Sequence, residues 1–344
     1  MCVEICAMTR HLLVFALVLL TSFFPGAVFA QDAARPTLSN PNATSETRAL
    51  YRYLCDVYGE KIIAGQQEST WMGSENYEFE IIHKASGKYP ALRGLDYMND
   101  DFRGVNRRAQ EWFQRGGIVT ICWHCGADFR GSHRESLNSN LDWEKALEPG
   151  TTENRILCDG MDKAAKALAE LQDAGVPVLW RPFHEFDGAW FWWGKGGPEN
   201  FKKLWRLMHD RYTKEWKLNN LIWVLGYCGD VKPDWYPGDE YVDVVGADTY
   251  VKDDGSLVEI YEKAASVSAD KPVCLHENGP IPNPEKLRKD GAKWLWFMTW
   301  HTSFIDRNPV NTTEYLKRVY NSDAVVTLDE IPDVYRYDGA ARAN

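Results

Sequence analysis

The sequence predicts an α/β fold, a single (β/α)8 barrel, on three observations. Eight short β-rich runs recur along the chain, most of them followed by a helical pattern. Their ends at residues 67, 96, 124, 185, 227, 250, 277 and 301 are spaced by 29, 28, 61, 42, 23, 27 and 24 residues, mostly near the length of one βα unit. The 344 residues suit one such barrel, and no Pro-, Gly- or Ser-rich boundary divides the chain after Pro41.

Ahead of the first strand, residues 11–24 form a short apolar run behind Arg10. Pro25, Gly26 and the small-residue pattern ending at Ala30 follow. That is the pattern of a secretory signal, and the run is shorter than the ~20 residues a spanning helix needs. Residues 1–30 are expected to direct export to the periplasm or the medium, leaving residues 31–344 as one domain with no membrane span. The strands are expected at Lys61–Gln67, Ala91–Tyr97, Gly117–His124, Pro177–Glu185, Asn220–Tyr227, Val242–Tyr250, Pro272–Glu277 and Lys293–His301. The clearest helices are Glu153–Ala174, ended by Gly175, and Pro198–Trp216, where Phe201, Leu204, Trp205 and Met208 share one face. The 61-residue spacing contains Gly126–Gly150, too long for a plain connection and so expected to serve function.

Hydrophobic residues at 44% and charged residues at 26% exclude disorder and coiled coil. A net charge of −10 repels phosphate backbones, so nucleic acid is not an expected partner. The chain is expected to act as a monomer. The 15 Trp, 16 Tyr and 14 Phe suggest a cleft whose rings stack on sugar faces. Cys122 and Cys125 flank His124, but no second Cys pair and no HExxH accompany them, so no metal is expected.

A barrel of this kind carries its chemistry at the C-terminal ends of the strands. There the sequence places His124, His184-Glu185, Asp248 with Tyr250, and His276-Glu277. Alternation along a strand puts Glu185 on the face of Arg181 and Phe183, Glu277 with Leu275, Tyr250 with Asp248, and Trp300 with Met298 and Trp296. Two glutamates thus project from strands four and seven across the barrel mouth. A carboxylate pair ringed by aromatics is what glycoside hydrolysis needs: one protonates the leaving oxygen, the other attacks or activates water. The competing reading makes them structural partners of Arg181 and Arg93.

The segment from Arg181 to Gly194, RPFHEFDGAWFWWG, places an aromatic shelf beside Glu185. Here the sequence resembles glycoside hydrolase family 26, whose best-known members are β-mannanases, with Glu185 in the acid/base position. His276-Glu277-Asn278-Gly279 is similar to the nucleophile strand, and VDVVGADTY places Tyr250 where the family hydrogen-bonds the nucleophile. Trp300 matches the aromatic platform of the last strand and His124 a substrate-binding histidine. The resemblance covers about residues 45–320. It implies a retaining mechanism with no cofactor, carboxyl groups about 5–5.5 Å apart, and His184 near the reacting sugar although strand parity turns it away. Trp190 is expected to stack on substrate. The expected substrate is β-mannan or its oligosaccharides, cut internally or from an end. Mixed-linkage β-glucan, β-1,3-xylan and a non-catalytic glycan-binding barrel are the alternatives.

Overall fold

Eight parallel strands alternate with helices around a closed sheet in the computed structural model, which describes residues 37–339. The apolar run and Ala30 pattern of the expected export signal lie outside the described residues. In chain order the elements begin with α1 (Ser45–Val57), β1 (Ile62–Gln67), α2 (Tyr77–Ser86), β2 (Leu92–Asp96), α3 (Phe102–Gln114) and β3 (Ile118–Cys122). Then come α4 (His133–Asn138), α5 (Trp143–Ala146), α6 (Thr152–Asp173), β4 (Val178–Arg181), α7 (Gly197–Asp210) and β5 (Leu221–Tyr227). The last are β6 (Val244–Thr249), α8 (Val258–Ala265), β7 (Val273–Asn278), α9 (Pro284–Asp290), β8 (Trp296–Thr299), α10 (Ser303–Asp306), α11 (Thr313–Tyr320) and β9 (Val325–Val326). Each of β1 to β8 pairs with its neighbours in sequence, and β1 joins both β2 and β8, which closes the barrel. The short β9 lies parallel to the start of β1.

Alternation along the strands sorts their side chains into two buried layers. Leu92, Ile118, Leu179, Ile222, Val224, Val244, Cys274, Trp296 and Met298 form one cluster with Leu50, Tyr51 and Leu54 of α1, so this cluster is the barrel interior, closed below by α1. Their strand neighbours Val119, Trp180, Trp223, Val245, Leu275 and Phe297 pack outward with Trp112 of α3, Leu168 of α6, and Trp205 and Met208 of α7. Helix starts are fixed by side chains that accept backbone N–H groups: Thr44 for α1, Asp101 for α3, Thr151 for α6 and Thr312 for α11.

All eight expected strands are present, but the structure trims several of them. β4 stops at Arg181 instead of Glu185, because Phe183 and Glu185 both adopt a left-handed φ of 53° that no strand accommodates. The helix expected over Pro198–Trp216 ends at Asp210 and widens into a π turn, Arg211–Glu215, where Trp216 N–H donates to the Arg211 carbonyl at 3.0 Å. The Gly126–Gly150 stretch is not a bare loop: it holds α4 and α5. The aromatic excess also needs correcting. Trp112, Trp180, Trp192, Trp193, Trp205, Trp223, Trp294 and Trp296 are fully buried, so much of the tryptophan fills the core rather than a cleft. Among the described residues no helix is long and apolar enough to cross a membrane.

Candidate active site

The end of β7 carries a bulge. Ala247 pairs with Leu275 and Asp248 with Glu277, so His276 is the extra residue. Simple parity joins Glu277 to Leu275, yet Leu275 packs in the outer layer while Cys274 faces inward. The bulge corrects the register and lets His276 and Glu277 both turn to the barrel mouth. Gly226 and Gly246 give His276 its room, since a Cβ on either would sit 2.6 Å from its Nε2 or 2.8 Å from its Cβ.

Glu277 is buried and doubly held. Arg181 Nη1 donates to its Oε1 at 3.0 Å and Tyr250 Oη to its Oε2 at 3.0 Å. Arg181 reaches further, donating to His276 Nε2 at 2.9 Å and to Gln67 Oε1 at 3.2 Å. An arginine only donates, so His276 Nε2 accepts, and its Nδ1 carries the proton shared with Asp248 Oδ1 at 2.5 Å. Burial pushes the Glu277 carboxyl up, and the Arg181 guanidinium, His124 and the Tyr250 hydroxyl pull against it. Burial, joined by the charges of Glu277 and Glu185, holds Asp248 well above the ordinary carboxyl range.

Glu185 sits in a different setting. Its φ of 53° follows Phe183 at 53° and precedes Ala189 at 58°, three strained non-glycine residues in one turn. Its N–H donates to the Gly226 carbonyl at 2.7 Å, which ties the turn to β5. Trp190 Nε1 donates to its Oε2 at 2.9 Å. Gly188 permits that contact, because a Cβ there would lie 2.0 Å from the Trp190 ring. Burial first, and then the Glu277 charge, push the Glu185 carboxyl up to about 7.

The expected aromatic shelf is mostly core. Trp190 is 41% exposed, whereas Phe191, Trp192 and Trp193 are buried. Trp192 Nε1 donates to the Cys125 carbonyl and Trp193 Nε1 to that of His184, both at 2.8 Å, so these rings fix the walls of the site.

Two histidines complete the mouth. His124 Nδ1 lies 2.6 Å from Asp96 Oδ2, and the backbone N–H of His124 donates to Asp96 Oδ1 at 3.0 Å. Burial opposes a charged His124, but Asp96 and the carboxylates of Glu277 and Glu185 outweigh it and hold its pKa above the usual value. His184 does not turn away, since the left-handed turn breaks the parity of β4. Its Nε2 is 3.8 Å from Glu277 Oε1, its ring meets His124 edge-on with centroids 4.6 Å apart, and burial keeps it neutral. Trp300 follows β8 and meets His124 edge-on at 6.2 Å between ring centroids, and its backbone N–H donates to the Asn278 carbonyl at 2.8 Å. Beside them lies a cavity of about 320 Å³, bounded by Gln67, Glu68, Trp71, Asp96, Met98, His124, His133, Trp300 and His301. That volume falls in the range of small-ligand pockets.

Sequence reasoning brought Glu185, Glu277, His124, His184, Trp190, Tyr250 and Trp300 to the same barrel end, and the structure places all seven there. It gave no role to Gln67, Asp96, Trp71 or His133. Gln67 and Asp96 stand at strand ends and were visible by the same rule that found Glu277. Arg93, the alternative partner of the glutamates, instead pairs with Glu68 at 2.6 Å. Asp96, Cys122 and His124 bring a carboxylate, a thiol and an imidazole within 4.8 Å of one another, as Asp248, His276 and Glu277 do with two carboxylates and an imidazole. In each set the shortest contact, 2.6 Å or 2.5 Å, is a hydrogen bond between histidine and aspartate. Cys125, the other half of the Cys pair, belongs to neither set and is a buried thiol.

Residues 39–330 match the family described as Glycosyl hydrolase family 26. The chain belongs to that family. Among similar proteins, a mannan endo-1,4-beta-mannosidase of Thermothelomyces thermophilus is 38% identical over 326 residues, covering 89% of this chain and 66% of the relative. One from Bacillus subtilis is 30% identical over 80% of this chain and 85% of its own length. The crystal structure of a GH26-CBM35 β-(1,4)-mannanase from Podospora anserina superposes with a TM-score of 0.80 at 37% identity, covering 88% of this chain and 70% of that one. A β-mannanase from a symbiotic protist of the termite Reticulitermes speratus, solved with a gluco-manno-oligosaccharide, gives 0.78 at 32% identity, with coverage of 87% and 98%. The chain spans 66%, 54% and 51% of the length of three curated relatives, so those proteins carry further sequence that this one does not match.

Proposed function

We propose that this family 26 chain hydrolyses β-1,4-mannosidic linkages in β-mannan by double displacement, with Glu277 as nucleophile and Glu185 as acid and base. The carrying observation is the contrast between the two carboxyl groups. Glu277 faces a guanidinium and a phenol, both of which donate to it, so its anion is oriented for attack on the anomeric carbon. Glu185, raised to about 7 by burial and by Glu277, holds the proton that the leaving oxygen needs.

In the first step Glu277 attacks the anomeric carbon while Glu185 gives its proton to the departing sugar. Glu277 loses its charge in the ester, and the electrostatic push on Glu185 falls away. The ionised Glu185 then takes a proton from water, which attacks the same carbon and frees Glu277. Tyr250 and Arg181 hold the nucleophile through both steps, His124, His184 and Trp300 bound the reacting sugar, and Trp190 offers a ring to the leaving portion. No cofactor enters this sequence.

The names of the relatives support mannan over mixed-linkage β-glucan and β-1,3-xylan, which the same carboxylate pair could cleave. A polysaccharide substrate is met outside the cell, in keeping with residues 1–30 as an export signal. The product profile on mannan, β-glucan and β-1,3-xylan tests the substrate. Mannan is expected to give manno-oligosaccharides at the highest rate; faster release from either other polymer would replace this reading.

A further inference from the structure

A buried carboxyl stands two residues after Glu185, and no step of the reaction uses it. Asp187 is 1% exposed and lies inside the short turn Phe186–Gly188. Its Oδ1 accepts the backbone N–H of Cys228 at 2.8 Å, just past the end of β5, and the Cys228 thiol adds a second contact. From the same segment Lys232 Nζ donates to the Asp187 carbonyl at 2.7 Å. Burying a carboxyl opposes folding unless its partners are held in place, and these partners all belong to the stretch that follows β5.

The turn needs such a tie. Phe183, Glu185 and Ala189 hold φ values of 53°, 53° and 58°, a region that non-glycine residues leave unless the fold imposes it. The bonds inside the turn only fold it back on itself: Gly188 N–H donates to the Glu185 carbonyl and Ala189 N–H to that of Phe186, both at 3.2 Å. Two further bonds hold its entry, from Glu185 N–H to the Gly226 carbonyl at 2.7 Å and from the Trp193 indole to the His184 carbonyl at 2.8 Å. Phe186 packs the outer side, stacked on Phe201 of α7 with centroids 4.0 Å apart. Stacked rings tolerate sliding, whereas a hydrogen bond to a backbone N–H fixes one atom against another.

Past Phe186 the tie to β5 is therefore Asp187. The chain then returns through Ala189 to Trp190, whose indole donates to Glu185 Oε2 at 2.9 Å. Asp187 thus stands between the acid and the acid's own hydrogen-bond donor. We propose that Asp187, clamped to the end of β5 through Cys228 and Lys232, is a positioning residue that holds the left-handed turn and so aims Glu185 at the leaving oxygen. Being buried, it acts through Glu185 and not on substrate. The inference rests on Glu185 as the acid.

The test separates proton donation from everything else the fold does. Steady-state kinetics on mannan are compared with pre-steady-state release of a good aryl leaving group, which departs without a proton. Asp187→Ala is expected to lower kcat on mannan by about ten- to a hundredfold, the range of a catalytic group displaced by an ångström. KM and the aryl release should stay near wild type. Asp187→Asn keeps the acceptor for Cys228 N–H and is expected to restore kcat to within about threefold. Lys232→Met removes one donor from an exposed side chain and should give the same pattern at about two- to fivefold. If Asp187→Ala does not fold, Lys232→Met decides alone. Equal losses on mannan and in aryl release, a change confined to KM, or no loss in either variant overturns this inference while leaving Glu185 in its role. Equal losses for Glu185→Ala itself overturn the acid assignment, and this inference with it.

Discussion

The ends of β4 and β7 present the same side chain in opposite settings. Glu277 stands on a strand that stays paired through its bulge, and two strong donors grip its oxygens. Glu185 stands in a turn with three strained residues, and an exposed indole is its hydrogen-bond donor. Each such residue costs on the order of 1–3 kcal/mol, so the surrounding fold must over-determine the turn. The comparison teaches how a barrel obtains an acid and a nucleophile from two glutamates. Polar anchorage opposes the burial that would neutralise Glu277, whereas burial and a neighbouring negative charge let Glu185 hold its proton up to about pH 7.

The comparison breaks first at Glu277. Replacing it by Ala is expected to lower kcat by about 10³-fold or more on mannan and on aryl mannosides alike, since both need a nucleophile. Circular dichroism should show the fold intact, and activity within tenfold of wild type would remove Glu277 from the role. Glu185→Ala is expected to cost about 10²–10⁴-fold on mannan, the range of a lost general acid. Pre-steady-state release of a good aryl leaving group should largely survive, because such a group departs without a proton. Equal losses on both substrates would deny the asymmetry.

The smallest effect concerns the proton itself. With Glu185 titrating near 7, kcat/KM on mannan is expected to fall as pH rises through about 7, because only the protonated form can serve as the acid. Trp190 donates to the charged carboxylate and so favours it. Trp190→Phe removes that donor, raises the Glu185 pKa, and should move this basic limb to higher pH. A limb that moves to lower pH would mean that the indole does not act through this bond.

The same two regions show what a sequence discloses. Eight strands, the strand-end rule and the long aromatic motif brought both glutamates, Tyr250 and His124 to one mouth. Parity failed where the backbone leaves the regular strand: the bulge at His276 turns Glu277 inward, and the left-handed turn at Phe183 and Glu185 brings His184 into the site. Neither deviation has a local signature, since no glycine stands at those positions. The aromatic run misled for a different reason. Trp192 and Trp193 cap backbone carbonyls inside the wall, and composition cannot tell a wall from a platform. Trp71 and His301 lie 230 residues apart and meet edge-on in the fold, a relation no spacing reveals.

The central claim is that Glu277 attacks the anomeric carbon directly, with Glu185 as its proton-holding counterpart. Proton NMR of the nascent reducing end, recorded on a β-linked manno-oligosaccharide before mutarotation, tests it most directly. Two successive inversions at one carbon should release the β-anomer first, as expected of carboxyl groups about 5–5.5 Å apart. Initial appearance of the α-anomer would mean a single displacement by water, and would contradict the nucleophilic role of Glu277.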